Sequence, residues 1–145
     1  MAGAPGRAVL GFIAGALAVM TFHQGMIGAL HAAGLIGFAP FPLDPVGPLG
    51  VPRIIDLCFW GGVWGVLFGV LLPWLPGPDW LRGIGLGVVA GLTGLFVVAP
   101  LKGAPIANSL VVHRVVLDLV INGFWGLGVG LILPGLLYGR RLVRA

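Results

Sequence analysis

The stretch RIIDLCFWGGVWGVLFGVLLP at residues 53–73 recurs in its order of residue types as RVVLDLVINGFWGLGVGLILP at residues 114–134. Each stretch begins with an arginine and two β-branched residues, passes through Asp-Leu and Phe-Trp-Gly, and ends in Leu-Pro. An Ala-Pro dipeptide opens each longer copy, at residues 39–73 and 99–134. A repeated unit favours a repeated structure. The sequence therefore predicts an all-α bundle built from two copies of a helical hairpin.

The composition indicates that the solvent of this fold is lipid. The 145-residue chain is 59% hydrophobic and 8% charged, with a mean hydropathy of +1.11. A soluble domain carries about 25% charged residues, so these charges are too few to cover a surface facing water. The net charge of +4 comes from basic residues scattered along the chain, which argues against nucleic-acid binding. The length predicts a single transmembrane domain over residues 1–145.

Four apolar stretches are each close to the ~20 residues that a helix needs to cross the hydrocarbon. We place these spans at about residues 8–34, 54–75, 81–98 and 112–137. Basic residues predict the orientation, because they collect on the cytoplasmic side of a membrane. Five arginines fall on the side that holds both termini, and Arg53, Lys102 and Arg114 fall on the other. The sequence thus predicts a multi-pass protein with both termini in the cytoplasm.

Glycines recur every four residues along the spans. Small residues at this spacing let two helix backbones approach closely in lipid, where apolar burial no longer drives association. The functional interpretation is a specific interface, either within the bundle or between subunits, and the competing interpretation is chance spacing in a glycine-rich chain. The predicted ridge glycines are Gly61, Gly65, Gly69, Gly83, Gly87, Gly91, Gly126 and Gly130.

Two aspartates lie inside or at the edge of the spans, where an unpaired charge is expensive. One interpretation pairs each aspartate with its own arginine, Arg53 with Asp56 and Arg114 with Asp118, at the outer end of each hairpin. The other interpretation is a proton or cation site formed by Asp56, Asp118 and Asn122 between the duplicated helices.

The three histidines leave two further alternatives open. His23 and Gln24 lie deep in the first span, either on a polar path or hydrogen-bonded across helices to Thr93, Asn122 or a backbone carbonyl. His31 and His113 fall at similar depth, so they are weak candidates for the axial ligands of a haem. No paired-histidine spacing and no cysteine motif accompanies them, so we predict neither a metal nor a cofactor.

The chain carries no enzyme signature. It has no phosphate-binding loop, no dinucleotide fingerprint, no paired catalytic carboxylates and no nucleophile with a base at a plausible spacing. We therefore predict that the protein is not an enzyme.

Three segments resemble those of small, uncharacterised four-span proteins of bacterial inner membranes. They are Phe22-His23-Gln24-Gly25, the stretch FWGGVWG at residues 59–65, and Pro100-Leu101-Lys102-Gly103. The resemblance implies fold and location only, that is, a multi-pass protein of the inner membrane.

Three functions are compatible with these features. The first is a non-catalytic accessory or assembly subunit, or a homo-oligomer, that packs through its glycine ridges. The second is a small oligomeric transporter or channel linked to protons or cations, with Asp118, Asn122, Asp56 and His23 on the path. The third is a haem-carrying redox subunit. The bilayer and a larger membrane complex or further copies of the chain are the predicted partners.

Overall fold

The computed structural model describes the backbone of residues 3–142 and the side chains of residues 3–139. Four long helices account for most of it: α1 (Ala4–Ala32), α2 (Arg53–Trp74), α3 (Asp79–Leu101) and α5 (Val112–Leu142), with a single helical turn, α4 (Ile106–Ser109), before the last. All four long helices are long and apolar enough to cross a membrane. This is the pattern of a multi-pass membrane protein.

The helix ends lie within a few residues of the predicted spans, and local chemistry accounts for two of them. Pro5 lies in the first turn of α1. A backbone N–H at this position would have no carbonyl partner within the helix, so proline costs no hydrogen bond there. Gly34 follows the end of α1 with a φ of +71°, a conformation that glycine adopts without strain and that stops a helix. At the other end of the chain, α5 continues through Pro134 to Leu142, beyond the predicted residue 137.

The loop between α1 and α2 contains a small antiparallel hairpin that the sequence analysis did not predict. Strands β1 (Pro45–Val46) and β2 (Val51–Pro52) pair Pro45 with Pro52 and Val46 with Val51. The turn between them begins and ends in glycines with φ values of +66° and +64°. This register brings Asp44 and Arg53, the residues that flank the hairpin, next to each other.

The long helices pack as two intimate pairs joined along one seam. Helix α1 packs along α2, α3 packs along α5, and the α1–α5 seam joins the pairs. By contrast, α2 and α3 contact each other little, although only residues 75–78 separate them in the chain. The core is therefore centred on α1, α2 and α5, and its fully buried side chains include Ala14, Ala18, Phe68, Val129 and Leu133.

Glycine contacts allow the backbones of the two helices in each pair to approach each other closely. A Cβ added at Gly11 would collide with the carbonyl oxygen of Gly65, and one at Gly15 would collide with that of Gly61. In the other pair, Gly83 and Gly126 stand in the same relation. Seven of the eight predicted ridge glycines lie in backbone contacts of this kind within the chain: Gly61, Gly65 and Gly69 against α1, and Gly83, Gly87, Gly126 and Gly130 between α3 and α5. Gly91 instead faces the side chains of Asp118 and Asn122.

Candidate functional site

A cavity of about 410 Å³ lies between α2 and α3, on the side of the bundle where these helices stay apart. Its walls are mainly apolar and include the indoles of Trp60, Trp64 and Trp125. Along α2 it runs from Asp56 to Trp64, which is about 12 Å at the helical rise of 1.5 Å per residue. A mostly apolar cavity of this size with a few polar groups is typical of small-molecule sites.

Three of the polar residues singled out in the sequence line this cavity. His23 comes from α1, Asp56 from α2 and Asn122 from α5, and Thr93 of α3 adds a hydroxyl. Four helices thus each contribute one polar side chain to a single apolar space. The sequence placed these residues on separate spans, and the structure brings them together.

The tautomer of His23 follows from its neighbour. Gln24 is only 1% exposed, and its Oε1 accepts a hydrogen bond from the backbone N–H of Phe41 at 2.6 Å. This contact fixes the orientation of the amide, so the Gln24 Nε2, 3.1 Å from the His23 Nδ1, is the donor to that ring nitrogen. A neutral His23 that accepts at Nδ1 carries its proton on Nε2.

Gln24 therefore has a structural role that the sequence did not indicate. Its two polar atoms bind the loop between α1 and α2 on one side and His23 on the other. Phe41 adopts a positive φ of 57° at this point, which is uncommon outside glycine. Gln24 anchors the loop to α1 and orients the histidine.

Asp118 lies outside the cavity but next to it. Its Oδ2 is buried and has no hydrogen-bond partner in the described part of the chain, and it faces α3 at Gly91. One turn along α5, the Asn122 amide nitrogen donates to the backbone carbonyl of Asp118 at 3.1 Å. Asn122 thus contacts the backbone of Asp118 and also lines the cavity.

The predicted arginine–aspartate pairs do not form. Arg53 contacts Asp44 instead of Asp56, with 2.5 Å between Nη2 and Oδ2, because the β1–β2 hairpin places these two residues side by side. The Arg53 guanidinium lowers the pKa of the Asp44 carboxyl. Arg114 is exposed near the N-terminal end of α5, whereas the Asp118 carboxyl turns inward toward the space that Gly91 leaves.

The mouth of the cavity is bordered by opposite charges. Asp56 and Lys102 line both this cavity and a second, more open one beneath the β1–β2 hairpin, which Leu49 and Phe59 also line. They do not form an ion pair with each other within the described residues. A carboxylate and an ammonium group therefore flank the passage from the hairpin into the bundle.

The haem candidates lie elsewhere. His31 and His113 are both exposed, and neither lines either cavity. Among residues 3–142, no group of three or more histidine, cysteine, aspartate or glutamate side chains is placed to hold a metal ion.

Sequence reasoning missed the tryptophans, Thr93 and Lys102 as members of the site. The repeated Phe-Trp-Gly triplet held the available signal, since Trp60 and Trp125 both line the cavity. A further ion pair was also missed: Arg82 contacts Asp79 at 2.6 Å in the first turn of α3.

Comparisons with protein-family models, curated proteins and solved structures found no match to this chain.

Proposed function

We propose that the protein is a small, non-enzymatic transporter of the bacterial inner membrane that links the movement of a solute to protons. The observation that carries this proposal is the cavity that gathers His23, Asp56 and Asn122 from three helices. Binding sites of transporters commonly lie between repeated helical units near the middle of the membrane. Both termini are cytoplasmic in this proposal, and the hairpin and the cavity mouth face outward.

The duplicated hairpin is part of the same proposal. In each pair a glycine of the second helix packs on the backbone of a glycine of the first, Gly65 on Gly11 and Gly126 on Gly83. Two hairpins of the same in–out–in sense are related by an axis along the membrane normal, which places equivalent residues at equal depth.

Asp118 is the proposed proton-binding group. An ionised carboxylate oxygen without a partner is costly inside a membrane, and binding a proton removes that charge. The Asp118 Oδ2 is buried and has no hydrogen-bond partner within the described residues. The Asn122 side chain donates to the Asp118 backbone carbonyl and also lines the solute cavity. In this proposal, Asn122 is the side chain through which occupation of the cavity affects protonation of Asp118.

Flux in proteoliposomes tests the proposal. Vesicles that contain a pH-sensitive dye receive solutes of different charge and polarity, and the internal pH is recorded. We expect at least one class to shift the internal pH with the wild-type protein and not with Asp118→Asn. Asp44→Asn, an outer-loop substitution of the same kind, should keep the response. Equal responses from Asp118→Asn and the wild type, or no response to any class, would refute proton linkage.

An accessory role in a larger complex is the second candidate. The observation that favours it is the exposure of α3, whose apolar window is only 17% buried against 33% for the other three long helices. The glycine ridges pack inside the chain, so the outward face of α3 is the surface left for a partner helix. The native mass in mild detergent separates the candidates, because a transporter of one kind of chain contains no companions.

A further inference from the structure

The two helix pairs correspond in their close glycine contacts. Gly11, Gly15 and Thr21 of α1 have counterparts 72 residues later in Gly83, Gly87 and Thr93 of α3. The threonines make the same bond, since each hydroxyl donates to the carbonyl four residues earlier at 2.7 Å. In α2 and α5 the counterparts lie 61 residues apart, because Gly65 meets Gly11 as Gly126 meets Gly83, and this pairs Trp64 with Trp125.

This correspondence makes the α1–α5 seam the counterpart of the α2–α3 seam. The α1–α5 seam is filled by side chains. The Phe22 ring lies against Phe124, with 5.4 Å between ring centroids, and it covers Gly128. Trp125 is 3% exposed, and its Nε1 donates to the Gly15 carbonyl at 3.1 Å. One phenyl ring and one indole therefore fill the seam.

The α2–α3 seam lacks both closures. The counterpart of Phe22 is Gly94, and a Cβ added there would meet no atom within 4 Å. The counterpart of Trp125 is Trp64, which is only half-buried. Gly94 and Trp64 both line the 410 Å³ cavity. The cavity thus occupies the place where the other half of the protein keeps an aromatic ring of its own.

We propose that this cavity binds a flat, uncharged ring compound that carries a hydroxyl or carbonyl oxygen, with its ring in the space beside Gly94. The indoles of Trp60 and Trp64 supply faces on which a ring can stack. An uncharged ligand fits because Asp56 and Lys102 offset each other at the mouth. The inference rests on the proposed function, since it names the substrate class of the same cavity.

The polar end of the ligand has partners deeper in the cavity. The His23 Nε2 carries a proton when Gln24 donates to Nδ1, so it is a donor to a ligand oxygen. The Thr93 hydroxyl already donates to a backbone carbonyl, which leaves its oxygen as an acceptor for a ligand hydroxyl. A ring compound with one such oxygen satisfies these groups and fills the apolar space.

Equilibrium binding of 1-naphthol to the protein in lipid nanodiscs tests the proposal. We expect saturable binding near one molecule per chain, above the linear partition into empty nanodiscs. Gly94→Phe places the missing ring in the cavity and should abolish the saturable part. Gly85→Phe is the matched control, because Gly85 lies on the exposed face of the same helix with nothing within 4 Å of its added Cβ. It should bind as the wild type does.

Two further variants keep the test decisive if Gly94→Phe folds poorly. Trp60→Ala removes an exposed stacking face and should weaken binding, and His23→Leu removes the donor and should weaken it about tenfold. Unchanged binding in Gly94→Phe, or saturable binding of tetramethylammonium in place of 1-naphthol, would overturn the ring-compound assignment.

The same samples separate this inference from the proposed function. Saturable 1-naphthol binding that drives no change in internal pH would refute proton-linked transport and leave the ring site supported. A pH response to a non-aromatic solute, together with no saturable 1-naphthol binding, would refute the ring site and leave transport supported.

Discussion

Replacing Gly65 by alanine tests whether the glycine ridges hold the bundle together. The added Cβ would collide with the Gly11 carbonyl oxygen and lie 2.9 Å from its carbonyl carbon, where ordinary contact begins at 3.4 Å. The shortfall at the carbon is 0.5 Å, and both partners are backbone, so no side chain can rotate away. Helices α1 and α2 must separate along the whole contact.

The expected cost follows from that separation. Overpacking of a tight interface costs about 1–3 kcal/mol. Moving packed surfaces apart by about 0.5–1 Å also forfeits roughly a quarter to a half of their dispersion energy. We therefore expect Gly65→Ala to destabilise the fold by about 2 kcal/mol, or about 30-fold in the unfolding equilibrium.

Reversible unfolding in mixed micelles of mild detergent and dodecyl sulfate measures this difference. Gly25→Ala is the matched control, because Gly25 is an exposed helical glycine whose added Cβ meets nothing within 4 Å. It should change the free energy of unfolding by no more than about 0.5 kcal/mol in the destabilising direction. Equal losses in the two variants would refute the interpretation of the ridge as an intrachain backbone contact.

Three further perturbations follow from the contacts. Gln24→Leu removes the acceptor of the Phe41 amide, so it should cost about 0.5–1.5 kcal/mol and speed hydrogen exchange at that amide; unchanged exchange would exclude the anchoring role. Arg53 lowers the pKa of Asp44, so their pair stabilises the hairpin at neutral pH and is lost as the pH falls through the lowered pKa; Asp44→Asn should remove that acid dependence of exchange in the hairpin. Trp125→Phe removes the indole bond to α1 and should lower stability by about 1 kcal/mol, and a neutral result would contradict the closed seam.

The four-helix pattern could be predicted from the sequence because apolar length is a local property. Each span is close to the thickness of the hydrocarbon, and the helices begin and end within a few residues of the predicted positions, apart from the extension of α5. The ridge glycines could also be found, since a four-residue spacing places them on one helix face. Their partners could not, because spacing alone does not distinguish an intrachain contact from an intersubunit one.

The charged residues show the limit of local reasoning. Arg53 and Asp56 lie one turn apart on a helix, which predicts a pair between them. The pair actually formed joins Arg53 to Asp44 across a hairpin whose strands have only two residues each, too short for a recognisable alternating pattern. The cavity is likewise a property of tertiary structure, because it arises where α2 and α3 fail to touch.

Thiol labelling compares the two seams most directly. Ala18 of α1 and Ala90 of α3 are counterparts in the proposed correspondence of the helix pairs, but Ala18 is 0% exposed in the core, whereas Ala90 lines the cavity. Each is changed to cysteine after Cys58→Ser has removed the one native thiol. A small water-soluble thiol reagent should label Ala90→Cys at least about tenfold faster than Ala18→Cys, because Ala18 is more deeply buried than Ala90. Equal rates would mean that the two seams are alike and that the cavity does not exist as a solute site.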